Sequence, residues 1–243
     1  MENNKGNESI NKDYISIKDW AEEDRPREKM MARGCQALTK AELLAIIIGS
    51  GTTKKSAVEL MNEILKDCDG RLSNLSKMSL ENLTRYDGIG PAKALSIMAA
   101  AEIGRRRAEE STLDLKQIVN GADVMKYMRP KVQDLTHEES WVILLNNNAN
   151  IIRCVHLSSG GITETSVDVR MLLKEALLSN ATSFILIHNH PSGKLTPSRM
   201  DKELTEHVQK AGRAINIRML DHVIVTDSAD FNQYYSFAEE GYL

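Results

Sequence analysis

Two histidines and an aspartate in the C-terminal half of the chain have the residue types and the spacing of a metal site. His188 and His190 are separated by one residue and followed by Pro191, and Asp201 lies eleven residues past the second histidine. Two neutral imidazoles and one carboxylate suit zinc, and three protein ligands leave a tetrahedral ion its fourth position for water. The residues therefore predict one zinc ion in a hydrolytic site.

The residues around this triad predict the elements that hold it. The apolar run from Phe184 to Ile187 predicts a buried strand that ends at the histidines. Alternate residues of a strand point to one face, so the two histidines project side by side. Thr196 as N-cap and Pro197 at the first helical position predict a helix that ends at Gly212 and carries Asp201 in its first or second turn.

Each of these residues also has an ordinary structural explanation. A histidine at the end of a strand need not bind a metal, and an aspartate such as Asp201 near a helix N-terminus favours the helix dipole. Ser198 and Asp201 also have the spacing of a capping box. It is the combination of the three residues with a strand, a turn and a helix that favours the metal site.

The same residues resemble a known family. The pattern His188-x-His190-Pro191 followed by Ser198-x-x-Asp201 is similar to the JAMM metalloprotease motif of MPN-type domains, and its wider sequence resembles the bacterial RadC family. The resemblance implies an α/β or α+β sandwich of the MPN type with a mixed sheet. It also implies that the two histidines and Asp201 hold zinc, that the Ser198 hydroxyl helps to stabilise an oxyanion, and that a glutamate from an earlier strand moves the proton.

Two neighbouring glutamates are candidates for that role. Glu138 and Glu139 precede the apolar run Ser140 to Leu145, which is long enough for a strand. A carboxylate there can take a proton from the attacking water and pass it to a leaving amine. We favour Glu138, because the family has its glutamate two positions before an aromatic residue; this chain departs from the pattern with Ser140 at that place. A solvated charge pair ahead of a strand is the structural alternative for either glutamate.

The resemblance to RadC covers nearly everything after about Trp20. Apolar residues at helical spacing from Arg170 to Leu178 add a helix, so the C-terminal half is predicted as strand, strand, helix, strand, helix, strand. Asp221 and His222 are either a second layer around the ligands or ordinary residues at a strand. The further matching segments are Arg25 to Lys29, Gly104 to Arg107, Ser166 to Arg170, Asp221 to Val225 and Tyr235 to Ala238.

The N-terminal half differs in charge. Between Arg27 and Arg107 there are 14 Lys and Arg against 9 Asp and Glu, a balance of +5, whereas the whole chain carries −3. Such asymmetry indicates a polyanionic partner for the basic half.

A glycine hairpin in this half resembles the helix-hairpin-helix motif of DNA-binding proteins. The segment Asp87 to Ala94 joins two apolar-periodic stretches, and its glycines would let the backbone approach a phosphate at the start of the following helix. Contacts of this kind bind DNA without base readout. An earlier turn, Ile48 to Gly51, is either a second copy or a plain turn between helices. The predicted DNA contacts are Gly88, Ile89, Gly90 and Lys93.

Composition predicts the division of the chain and its environment. We expect a disordered tail over 1–20, a helical domain over 21–108, a linker over 109–120 and the metal-binding domain over 121–243. No segment has the length and apolarity of a signal peptide or a membrane span. Three cysteines without a pairing pattern, and no Cys-x-x-Cys, fit a reducing cytoplasm and argue against a zinc ribbon.

Three functional hypotheses are compatible with the sequence. The first is a zinc hydrolase, by resemblance a JAMM-type metallopeptidase or isopeptidase, that reaches a protein substrate on DNA during repair or recombination. The second is a metal-dependent nuclease, although two-metal sites are commoner in nucleases and no second carboxylate cluster is visible. The third is a non-enzymatic repair adaptor in which the metal is structural.

Overall fold

The structure is a computed structural model that describes residues 16–110, 112, 115–160, 167–228, 230 and 232–243. Residues 1–15 of the predicted tail, and Ser166 of the matching segments, lie outside the described residues. The chain divides into two units, one that ends at Glu102 and one that begins at Ile103. In the described part of the chain, no helix is both long enough and apolar enough to cross a membrane.

The first unit is helical, and its helices begin where the sequence supplies a cap. Thr39 and Ser56 each accept a bond from the backbone N–H three residues on, and the glutamate at that place bonds back to the cap residue. Buried apolar residues of the helices form its core. The helices are α1 (Pro26–Arg33), α2 (Lys40–Ile48), α3 (Ala57–Asp67), α4 (Leu72–Ser76), α5 (Leu80–Leu83) and α6 (Pro91–Glu110), the last of which continues past Glu102.

The start of the described chain differs from the predicted tail. Ile17–Asp19 forms a short 3-10 turn, and the side chains of Ile17 and Trp20 pack against the core of the first unit. Partial burial of these two apolar side chains orders residues 16–20, although the composition predicts a disordered tail that extends to residue 20.

The second unit is built on a mixed sheet with the strand order β2-β1-β3-β4-β5 in the described residues. Strands β3 and β4 are parallel, whereas the other neighbours are antiparallel. The strands are β1 (Glu139–Leu145), β2 (Ile151–Ser159), β3 (Ser183–Asn189), β4 (Arg218–Val225) and β5 (Tyr234–Ser236).

Helices cover both faces of this sheet. Helix α7 (Gly121–Val132) packs on one face, and helices α8 (Val169–Leu178) and α9 (Arg199–Ala214) pack on the other. Ile143 and Ile185 face α7, while their neighbours Val142 and Leu186 face α8 and α9, as the alternation of a strand requires. The predicted α+β architecture with a mixed sheet, preceded by an all-helical region, is confirmed.

The segment between the two predicted domains is partly packed. Ile118 is buried in the core beneath α7, and Gln117 pairs with Asn150, so residues at the end of the predicted linker belong to the second unit. Helix α7 itself was not predicted. Its start carries a capping box of Asn120 and Asp123, but Pro130 lies inside the helix, where proline is normally disfavoured.

Candidate metal centre

Strand β3, the central strand of the sheet, carries the first histidine of the predicted site near its C-terminal end. His188 is the register partner of Ser140 on β1, and it follows Phe184 and Leu186 on the face that α8 and α9 cover. His190 comes directly after the strand, and its backbone N–H donates to the carbonyl of Val225 at 2.9 Å. The strand ladder therefore fixes the backbone of both histidines.

Helix α9 brings the aspartate to the histidines. Ser198 is its N-cap: the hydroxyl accepts from the Asp201 N–H at 3.1 Å, and the Ser198 N–H donates to Asp201 Oδ2 at 2.6 Å. The predicted start with Thr196 as the cap was wrong, because this reciprocal pair begins the helix at Arg199. The predicted stop at Gly212 was also wrong: the helix passes through Gly212, where a Cβ atom would lie 2.6 Å from the carbonyl oxygen of Ile217.

The three predicted ligands converge on one point. His188 Nε2 lies 3.0 Å from His190 Nε2 and 3.3 Å from Asp201 Oδ1. One ligand atom from each residue lies within 4.8 Å of the other two, which within the described residues is true of no other group of His, Cys, Asp or Glu. Two imidazole nitrogens and a carboxylate oxygen are a donor set that zinc takes. Asp201 is therefore both a member of the helix cap and a candidate metal ligand, because its Oδ2 accepts the Ser198 N–H and its Oδ1 faces the histidines.

The surroundings keep the imidazoles in their metal-binding form. Burial lowers the pKa of His188 to about 4, although the charge of Asp201 acts in the opposite direction. A neutral imidazole carries one bare nitrogen that can bind a metal. His190 Nδ1 lies 2.6 Å from the carbonyl oxygen of Lys194. Because a carbonyl only accepts, Nδ1 carries a proton, and in the neutral tautomer that this bond selects Nε2 holds the lone pair.

A cavity of about 270 Å³ opens beside these three side chains. Its wall combines hydroxyl groups, a carboxylate, a lysine and two apolar side chains, so it can hold a polar substrate group next to a metal. The residues that line it besides the three ligands are Glu138, Ser140, Ser192, Lys194, Thr196, Ser198, Met200 and Leu204.

The two candidate glutamates face different surroundings. Glu138 lines the cavity, two residues before Ser140. Glu139 lies on the opposite side of β1, where its carboxylate accepts from Trp141 Nε1 at 3.1 Å and contacts His137 Nε2 at 3.1 Å. The geometry therefore brings Glu138 and Ser198 together with the triad and keeps Glu139 away from it.

Comparison with known proteins identifies the family. Residues 118–242 match the family described as RadC-like JAB domain, and residues 17–95 match the UPF0758 N-terminal family. This chain belongs to the RadC family. The resemblance that the motifs predicted is therefore confirmed, and both matched regions are those that carry the residues discussed above.

Several relatives share nearly the whole length of this RadC-family protein. The UPF0758 protein of Flavobacterium johnsoniae is 47% identical over 94% of this chain and 97% of its own length. The UPF0758 protein of Porphyromonas gingivalis is 44% identical over 94% of this chain and all of its own length, and that of Clostridioides difficile is 40% identical over 93% and 94%. The similarity thus includes the helical unit as well as the unit that carries the three candidate ligands.

The residues predicted to contact DNA in this RadC-family protein lie on one hairpin, but they differ in exposure and in hydrogen bonding. Gly90 is exposed at the start of α6, whereas the side chain of Ile89 is buried in the helical core. Lys93 Nζ donates to the carbonyl oxygens of Ser50, Gly51 and Gly88, at 2.6, 3.3 and 2.9 Å. These three bonds use every N–H of the ammonium group, so a phosphate contact by Lys93 would compete with them.

Two of the side chains that surround the site, Asn189 and Thr205, were not predicted from the sequence, which had left open whether His222 belongs to a second layer around the ligands. Asn189, between the two histidines, bonds to the backbone on both sides of Glu138. Thr205 and His222 form hydrogen bonds that lead from Asp201 to His188. The four-residue spacing of Asp201 and Thr205 was a usable signal, because a threonine in a helix often bonds to the carbonyl one turn back.

Proposed function

We propose that this RadC-family protein is a zinc-dependent hydrolase of the JAMM type, acting as a metallopeptidase or isopeptidase. One observation carries the proposal: Glu138 and the hydroxyl of Ser198 line the same cavity as the three convergent ligand atoms. A carboxylate beside an open metal site is the arrangement that metal-assisted hydrolysis of an amide requires. A structural metal site has no need of it.

Each residue of the cavity has a defined task in this proposal. His188, His190 and Asp201 hold the zinc ion, which when bound supplies a Lewis acid and lowers the pKa of water. The Glu138 carboxylate takes the proton of the attacking water and delivers it to the leaving nitrogen. Ser198 Oγ already accepts the N–H of Asp201, so its own O–H is available to donate to the oxyanion of the tetrahedral intermediate.

We further propose that the helical unit brings the enzyme to DNA, in keeping with a role in repair or recombination. The basic balance of the segment from Arg27 to Arg107 supports this, as does the exposed Gly90 at the start of α6. The bonds of Lys93 to Ser50 and Gly88 hold the two glycine turns of this unit next to each other, so in this proposal the backbone of the hairpin, and not the Lys93 ammonium group, contacts the phosphate.

The nuclease and adaptor hypotheses have weaker support. A two-metal nuclease site needs a second group of ligands, and within the described residues the triad is the only group of three or more such side chains whose atoms converge. An adaptor with a structural metal leaves the placement of Glu138 and Ser198 in the cavity without a reason.

The test is hydrolysis by the zinc-loaded full-length protein, with Glu138→Gln and Glu139→Gln as a matched pair. Peptides, isopeptide-linked proteins and DNA are offered in parallel, and products are detected by mass spectrometry and electrophoresis. We expect amide cleavage that Glu138→Gln lowers by about 10²- to 10⁴-fold and Glu139→Gln leaves nearly unchanged. Cleavage of DNA alone would make the protein a nuclease, and equal activity of both variants would remove Glu138 from the mechanism.

A further inference from the structure

The two ring nitrogens of His188 have different partners. Nε2 faces the other two ligands, whereas Nδ1 lies 2.8 Å from Nε2 of His222 on the neighbouring strand β4. His222 is completely buried and stacks on the ring of Phe237, with ring centroids 4.7 Å apart. His222 therefore has no solvent partner, and its two nitrogens depend on the protein.

The hydrogen bonds continue from His222 into helix α9. Nδ1 of His222 lies 2.6 Å from the hydroxyl oxygen of Thr205, and that hydroxyl donates to the backbone carbonyl of Asp201 at 2.6 Å. Thr205 is itself buried, one helical turn after Asp201. The path thus begins at the side chain of one predicted ligand and ends at the backbone of another.

The direction of every bond in this path follows from its last member. The carbonyl of Asp201 can only accept, so the single proton of the Thr205 hydroxyl points to it. The hydroxyl oxygen must then accept from His222, which places a proton on His222 Nδ1. In a neutral imidazole this leaves His222 Nε2 bare, so it accepts from His188 Nδ1. The same rule leaves Nε2 of His188 bare.

We propose that Thr205 and His222 are positioning residues that hold His188 in the tautomer whose Nε2 lone pair faces the metal. In the opposite tautomer, His188 would direct an N–H at the cation and could not bind it. His190 reaches the same state by a direct bond to the carbonyl of Lys194. The inference rests on the proposed function only in that the triad binds zinc, and it does not require hydrolysis.

The matched pair Thr205→Val and Thr205→Ser tests the path. Valine keeps the shape of the side chain but removes the hydroxyl, so His222 Nδ1 loses its acceptor. Nothing then selects which ring nitrogens of His222 and His188 carry the protons. Serine keeps the hydroxyl. Zinc affinity of the full-length proteins is measured by competition with a chromophoric chelator. We expect valine to weaken zinc binding by about 10- to 100-fold, as loss of such supporting bonds typically does, and serine to restore it.

A structural role alone gives a different result. If Thr205 only stabilised α9, the valine variant would melt at a lower temperature without zinc but would bind zinc with the affinity of the wild type, and that outcome would overturn the inference. Thermal melting of the metal-free variants is therefore recorded beside the titrations.

Nitrogen NMR of the metal-free wild type keeps the inference testable if the valine variant does not fold. With histidines labelled in the ring, the chemical shifts of Nδ1 and Nε2 report which nitrogen carries the proton. We expect Nδ1 protonated in both His188 and His222, and a proton on Nε2 of His188 would overturn the inference. A protein with these tautomers that binds zinc but cleaves nothing would refute the proposed function alone.

Discussion

The side-chain amide of Asn189 holds the backbone on both sides of Glu138. Its Oδ1 accepts from the N–H of Glu139 at 2.7 Å, and its Nδ2 donates to the carbonyl of His137 at 3.0 Å. Asn189 is buried, and it lies between His188 and His190 in the sequence. The strand that carries the candidate ligands therefore also determines the position of the candidate proton-transfer carboxylate.

We therefore expect Asn189→Ala to separate catalysis from metal binding. The change leaves two partly buried backbone groups, the N–H of Glu139 and the carbonyl of His137, without this partner, at a cost of about 1–3 kcal/mol in the free energy of unfolding. Release of the Glu138 backbone should lower kcat by up to about 100-fold, since a displacement on the order of 1 Å has that effect. Steady-state kinetics and zinc analysis of the same preparation check this. Loss of zinc with an unchanged kcat per bound zinc would show that Asn189 positions the zinc ligands and not Glu138.

Substitutions at Ser198 separate its two roles. Alanine and glycine both remove the hydroxyl, but glycine is tolerated at an N-cap and alanine is not, and threonine retains both the cap and the hydroxyl. We expect alanine to lower the free energy of unfolding by about 0.5–2 kcal/mol and glycine by about a few tenths of a kcal/mol. Both alanine and glycine should lower kcat by about 10²- to 10³-fold, which is the effect of removing one oxyanion donor. Denaturant unfolding and kinetics give the two readings, and a glycine variant with wild-type kcat would restrict Ser198 to capping.

Removal of the metal should change stability through the triad. A zinc ion that binds the folded state alone stabilises it by about 2.7 kcal/mol when free zinc is 100 times the dissociation constant. We expect zinc to raise the Tm of the wild-type protein and to leave the Tm of His190→Ala unchanged. Elemental analysis should find about one zinc ion per molecule of the wild type and none in His190→Ala. Asp201→Asn is a useful companion, because the amide can still accept the bond from Ser198 but is a poorer ligand. Full zinc occupancy in His190→Ala would locate the metal elsewhere.

The hairpin glycines provide a test of DNA binding. Gly88 has φ +89°, and a Cβ atom there would lie 2.2 Å from the methyl carbon of Thr52, so Gly88→Ala should lower the Tm. A Cβ at Gly90 meets nothing within 4 Å. If the backbone at Gly90 approaches a phosphate, Gly90→Ala should weaken DNA binding in a fluorescence anisotropy titration while the Tm stays unchanged. Equal affinities of Gly90→Ala and wild type would leave the hairpin a structural turn.

Much of the site could be predicted from local patterns. His188 and His190 alternate along an apolar run, and Ser198 and Asp201 have the spacing of a helix start, so these residues carry their chemistry and their local geometry together. The family resemblance depended on the same motifs. The boundary of α9 was less predictable, because Thr196 and Ser198 are both suitable caps and only the reciprocal bond of Ser198 with Asp201 distinguishes them.

The remainder depended on contacts between segments far apart in the chain. Glu138 and Glu139 have the same side-chain chemistry, and which of them reaches the cavity is decided by the register of Ser140 with His188 across two strands. Lys93 was assigned to DNA by its charge, but its three bonds are made to two loops that the fold brings together.

The amino-acid sequence by itself determined the family and the fold class and predicted the candidate ligands, because residue types at short spacing carry both the family motifs and the strand and helix patterns. Only the tertiary structure decided which glutamate faces the ligands and how Thr205, His222 and Asn189 support them. The physical reason is that a hydrogen bond depends on distance and direction in space, and neither is contained in residue types that lie 17 or more positions apart.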